Sequence, residues 1–234
     1  MDYFINFVFG VYPYLAGTVF LIACWIRFDT EQYTWKSDSS QLLSRANMRL
    51  ASNFFHIGII GIFLGHFVGL LGPHALWSAL GISDLGHQYL AMYAGGAFGA
   101  LCLIGGAMLW ARRMFNPRVR AASRWMDIAL LSWILITLLV GLSTIFVSAG
   151  HASEGNVDVM LALSAWAKSI VAFNPQPQIM ATVDPIYRLH VFLGMSLFLF
   201  FPFTRLVHIW SVPIGYLGRA YQIVRTKRRQ HAGT

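Results

Sequence analysis

The sequence predicts an all-α integral membrane bundle of five transmembrane helices forming one domain, with the N-terminus outside and the C-terminus cytoplasmic. Three observations predict it. Of the 234 residues, 57% are apolar and 11% charged, with a mean hydropathy of +0.59, whereas soluble domains carry about 25% charged residues. Five stretches are apolar over ~20 residues, the length that crosses a hydrocarbon core. Fifteen of the 17 Lys and Arg residues fall in segments that five spans would leave on one face. The positive-inside rule makes that face cytoplasmic. The net charge of +8 is then mostly a topology signal. Nucleic-acid binding is a poor reading, because no soluble basic module is present to carry it.

The elements follow in order. Span 1 covers Phe4–Ile26; its start, Met1-Asp2-Tyr3-Phe4, has no basic n-region, so the span is expected to insert and stay. A polar cytoplasmic loop, Arg27–Asn53, leads to span 2 at Ala51–Leu71, which Pro73 ends. Span 3 is Tyr89–Ala111, and Asn116-Pro117 breaks the link to span 4, Met126–Ser148. In the outer segment Gly150–Val183, Val157–Phe173 is expected to be an amphipathic helix on the membrane surface, anchored by Trp166 at the interface. Asp184 is the expected N-cap and Pro185 the first residue of span 5, Pro185–His208. The basic tail, residues 211–234, suits anionic lipid headgroups or a cytoplasmic partner equally. Cys24 and Cys102 lie inside spans, so no disulfide, iron–sulfur cluster or structural zinc is expected from this chain alone.

Function is signalled by four intramembrane histidines: His56 and His66 in span 2, His190 and His208 in span 5. Fully charged residues cost about 2.5–3.5 kcal/mol at a span centre, and neutral imidazole still brings a donor and an acceptor that lipid cannot satisfy. Haem, ligated axially from both sides, matches that chemistry. The two spans run in opposite directions, which pairs His66 with His190 on the outer side and His56 with His208 on the inner side. Ten residues separate His56 from His66 within span 2, a rise of ~15 Å, and eighteen separate His190 from His208 within span 5, ~27 Å. The mismatch of about 12 Å requires tilt or bending, for which Pro202 is a ready source. Gly58, Gly61, Gly65 and Gly69 of span 2, with Gly95, Gly96, Gly99, Gly105 and Gly106 of span 3, suit either close helix packing or a flat macrocycle. Arg188 and Arg205 flank ligand positions and fit either haem propionates or interface snorkelling. His74, His151 and His231 fall in loops or the tail, where surface histidines are the default.

Longer strings point to a family. Ala51-Ser52-Asn53-Phe54-Phe55-His56-Ile57-Gly58-Ile59, Gly65-His66-Phe67, Tyr187-Arg188-Leu189-His190 and Phe201-Pro202-Phe203-Thr204-Arg205-Leu206-Val207-His208-Ile209-Trp210-Ser211-Val212-Pro213 resemble the gamma subunit, a cytochrome b, of membrane-bound respiratory nitrate reductase. Tyr12-Pro13-Tyr14 and Gln32-Tyr33-Thr34-Trp35 resemble it too, and the likeness runs to about Arg225. The resemblance implies a bacterial inner-membrane protein with two b haems, the inner one on His56 and His208 and the outer one on His66 and His190. It implies quinol oxidation near the outer haem, with electrons passing through the inner haem to a cytoplasmic iron–sulfur beta subunit. A molybdenum-containing alpha subunit would then reduce nitrate to nitrite. It also places quinol near Gly65 and near the outer end of span 3, where relatives carry a lysine and this chain has His87. Imidazole can still donate a hydrogen bond to a quinone oxygen there. Outside the resemblance, other readings stay open: a quinol-linked cytochrome b serving another cytoplasmic reductase, a haem-free transporter or proton channel, and a haem-free anchor.

Overall fold

The computed structural model describes residues 2–31, 33, 35 and 47–211. Among them there are no strands, and five helices are long and apolar enough to cross a membrane. These are α1 (Tyr3–Thr30, with a π-helical stretch at Phe7–Val11), α2 (Met48–Leu71), α4 (Asp84–Phe115), α6 (Trp125–Ser153) and the span Pro185–Phe203, whose α-helical part is α8 (Pro185–Phe200). Short helices α3 (His74–Ala79) and α5 (Pro117–Ala121) and the 14-residue α7 (Asp158–Val171) lie between them. The chain is a multi-pass membrane protein. Residues 32, 34 and 36–46 of the polar loop and all of the basic tail beyond Ser211 lie outside the described residues.

In the first four spans hydropathy marks only the lipid-facing length, and the helices run further. The 32 residues of α4 rise ~48 Å, against a hydrocarbon core of about 30 Å. Ser83 starts α4 from the N-cap, its Oγ accepting the Gly86 N–H at 3.1 Å. Asn116 both ends α4 and starts α5, its Oδ1 accepting the N–H groups of Arg118 and Val119 with Pro117 at the first helical position.

The long helices pack in the spatial order α2, α4, α6, α8, α1. The α2–α4 seam is the tightest because glycines remove side chains from it. A Cβ on Gly58 would collide with the backbone of Cys102, and one on Gly105 with the backbone of Phe55. Gly61 makes room for the Phe98 ring and Gly99 for Leu142. Most of the glycine pattern is therefore helix packing, whereas Gly65 and Gly95 face open space.

Two elements differ from expectation. The helix α7 forms where the amphipathic pattern places it, but Trp166 is not an interface anchor. It is buried, with its Nε1–H donated to the Phe9 carbonyl at 2.9 Å and its ring edge-on to Phe9. An indole N–H in apolar surroundings needs an acceptor, and the α1 backbone supplies one. The last span is also not one helix to His208. It is α-helical to Phe200, 3₁₀-helical over Phe201–Phe203, extended at Thr204 (φ −119°, ψ 179°) and 3₁₀-helical again over Arg205–Ser211. Pro202 has no N–H to continue the ladder, and Arg27 of α1 donates to the carbonyls of Pro202 and Thr204 around the break. At the other end, Asp184 occupies the N-cap position without a capping hydrogen bond from its side chain, which instead faces His151 at 3.8 Å.

Candidate functional site

The site is built from α2, α6, α8 and the 3₁₀ segment Arg205–Ser211 that follows it. His66 and His190 face each other with ring centroids 5.9 Å apart, and His56 and His208 with centroids 6.4 Å apart. The antiparallel pairing expected from the sequence is the pairing observed. The break after Phe200 removes the spacing mismatch: α8 runs ten residues past His190 before it ends, the same ~15 Å of rise that separates His66 from His56. Beyond it, the 3₁₀ segment keeps His208 beside His56.

All four rings are held the same way. His56 Nδ1 lies 2.7 Å from the Ser52 carbonyl and His66 Nδ1 2.8 Å from the Ile62 carbonyl, each one turn back on α2. His190 Nδ1 lies 3.1 Å from the Thr137 carbonyl of α6, and His208 Nδ1 contacts the Arg205 carbonyl. A carbonyl only accepts, so in the neutral ring each Nδ1 is the donor and each Nε2 carries the lone pair. That is how a metal-ligating imidazole is oriented by its surroundings. Two metal–imidazole bonds of about 2 Å each, plus the ~1 Å from nitrogen to ring centre on either side, separate centroids by about 6 Å. Both pairs have that separation. Among the described residues there is no group of three or more metal-ligating side chains. Two axial nitrogens per pair therefore suit an iron whose remaining ligands come from a macrocycle, so the residues fit haem b.

A cavity of about 550 Å³ opens beside the His66–His190 pair, lined mainly by apolar groups and including Gly65, Gly95, His87 and Gly141. His87 is buried at its edge, stacked on Trp77 with ring centres 4.0 Å apart. Beside it, Gln88 donates to the Ser148 carbonyl and hydroxyl, tying α4 to α6. Gly65 and His66 of α2 thus share one cavity with His87 of α4.

The sequence matches the nitrate reductase gamma subunit family over residues 5–227. The chain belongs to that family. It is 51% identical over 228 residues to the respiratory nitrate reductase 1 gamma chain of Escherichia coli K12, covering 97% of this chain and all of that one. It is 47% identical to the respiratory nitrate reductase 2 gamma chain of the same strain, again covering 97% of this chain and all of that one. It is 32% identical to the nitrate reductase gamma chain of Bacillus subtilis 168, over 94% of this chain and 97% of that one. The chain is accordingly a gamma subunit of a respiratory nitrate reductase complex.

In this gamma subunit the two arginines differ. The Nε of Arg188 is buried without a hydrogen-bond partner, two residues before His190, a donor suited to an anionic group. Arg205 is gripped by Asp127: its Nε donates to Oδ1 at 2.8 Å and its NH2 to Oδ2. Sequence reasoning did not find Asp127, Thr137 or Gly141. Thr137 acts through its carbonyl, which leaves no side-chain signal. Gly141 lies in span 4, away from the glycine-rich spans that drew notice. Asp127 had a signal, since a carboxylate at the end of an apolar span needs a partner.

Proposed function

We propose that this gamma subunit is a dihaem cytochrome b that oxidises quinol near the periplasmic face of a bacterial inner membrane. Its electrons would go to a cytoplasmic iron–sulfur beta subunit and on to a molybdenum-containing alpha subunit that reduces nitrate to nitrite. The observation that carries the reading is the set of four imidazoles, paired between α2 and the chain from α8 through the Arg205–Ser211 segment, with every Nδ1 held by a carbonyl and every Nε2 left to bind. The distribution of Lys and Arg supports placing the His56–His208 pair on the cytoplasmic side.

Two b haems, when bound, supply a one-electron path between the two faces. His66 and His190 would hold one iron, and His56 and His208 the other. Arg188, with its buried unpartnered Nε, offers a charge-assisted donor to a propionate. Gly65 leaves the cavity open for a quinol ring, and His87 offers an imidazole to a quinol hydroxyl. The two quinol protons would leave on the His87 side while electrons are consumed on the opposite face, so oxidation separates charge and contributes to the proton-motive force without a pump. The apolar outer faces of the helices meet membrane lipid.

The reading is tested by haem content and reduced-minus-oxidised spectra of the complex carrying His66→Ala or His190→Ala. Each is expected to lose the same haem and keep the other. Loss of different haems from the two variants contradicts the pairing.

A further inference from the structure

We propose that Asp127 is a positioning residue for the haem held by His56 and His208, acting through Arg205. The inference rests on the dihaem reading above. His208 is not on α8; it lies on the seven-residue 3₁₀ segment Arg205–Ser211, beyond the extended Thr204. Such a segment has poorer hydrogen-bond geometry than an α-helix, and 3₁₀ runs longer than three or four residues are uncommon. Its position must therefore be fixed from outside. Arg27 of α1 holds the carbonyls on the near side of the segment, Pro202 and Thr204. Asp127, in the first turn of α6, holds the segment's first residue with both carboxylate oxygens on the Arg205 guanidinium.

Arg205 joins this clamp to the ligand. Its side chain is fixed by Asp127, and its backbone carbonyl accepts the His208 Nδ1–H. Moving one moves the other. Asp127 is itself placed before Arg205 is counted: Oδ2 accepts the Arg124 N–H at 3.2 Å and lies 3.7 Å from Arg113 NH1. The Asp127 and Arg205 side chains are only 10% and 19% exposed, so the forked, charge-assisted contact is shielded from water and restricts orientation. His190, which is on α8, is served differently, since it bonds directly to the Thr137 carbonyl of the α6 backbone. Loss of the Asp127 carboxylate should therefore act on one haem only.

The test is Asp127→Asn in the whole complex, with haem content, midpoint potentials and the low-spin EPR signature read for each haem. The His66→Ala background, which on the dihaem reading carries only the His56–His208 haem, provides the assignment. The expected result is about 10–100-fold weaker retention of that haem, with an altered EPR signature, an unaffected His66–His190 haem, and recovery in Asp127→Glu. Arg205→Lys keeps the charge but loses the fork, and carries the same prediction if Asp127→Asn does not accumulate in membranes. Equal loss of both haems, or two haems with unchanged potentials and EPR signatures, overturns the proposal. A wild-type complex without b haem overturns the dihaem reading, and this proposal with it.

Discussion

Gly141 lies directly against the His190 imidazole: a Cβ added there would stand 2.6 Å from His190 Cε1 and 3.0 Å from Nδ1. One turn back on α6, the Thr137 carbonyl accepts the Nδ1–H of the same ring. The helix thus grips the ring and makes room for it on one face. Gly141→Ala is expected to displace the imidazole and break that hydrogen bond. The complex should lose the His66–His190 haem, or show it with a changed EPR signature, and keep the His56–His208 haem. Haem content and EPR of the purified variant check this.

The α2–α4 seam gives a contrasting expectation. A methyl group on Gly58 meets the Cys102 backbone and one on Gly105 the Phe55 backbone, and backbone cannot rotate away as a side chain can. Overpacking of a core costs about 1–3 kcal/mol, and more where nothing relaxes. Gly58→Ala and Gly105→Ala should lower the thermal midpoint of the complex and deplete both haems together.

Quinol handling is expected to separate from haem binding. His87 and Gly65 line the cavity and belong to neither facing histidine pair. His87→Ala should keep both haems, and keep nitrate reduction driven by a soluble viologen donor that bypasses quinol. Quinol-driven turnover should fall by roughly tenfold or more if the imidazole hydrogen-bonds the reacting hydroxyl. Gly65→Ala fits the fold, since nothing lies within 4 Å of the added methyl. It should assemble normally while raising the KM for quinol. Steady-state kinetics with the two donors distinguish these cases.

Arg188→Gln removes a positive charge two residues from His190, at a buried nitrogen with no partner. Less positive charge favours the oxidised iron, so the midpoint potential of the His66–His190 haem should fall while the other stays put. A potentiometric titration of the two haems reads this directly.

The parts of this arrangement differ in how far the sequence reveals them. The five spans and both histidine pairings follow from hydropathy and antiparallel direction alone, because lipid forces continuous apolar helices and two reversed helices leave one way to match depths. The break at Thr204 was foreshadowed by Pro202, but a proline does not say whether a helix bends or ends; the Arg27 contacts to the Pro202 and Thr204 carbonyls favour ending. Trp166 illustrates a different limit. An amphipathic helix marks an aromatic residue as surface-facing or core-facing only relative to its neighbours, and here α1 covers it. Asp127 and Gly141 act across helices, through partners 78 and 49 residues away in the chain, and no local pattern encodes such contacts.

On the proposed function, electrons from quinol cross this subunit on two haems to reach nitrate. A reduced-minus-oxidised spectrum of the complex in membranes, with haem content and then addition of nitrate after quinol reduction, tests it most directly. Two b haems per chain are expected, both reduced by quinol and both reoxidised when nitrate is added. Haems that stay reduced in nitrate with competent partner subunits present, or a chain without b haem, would contradict it.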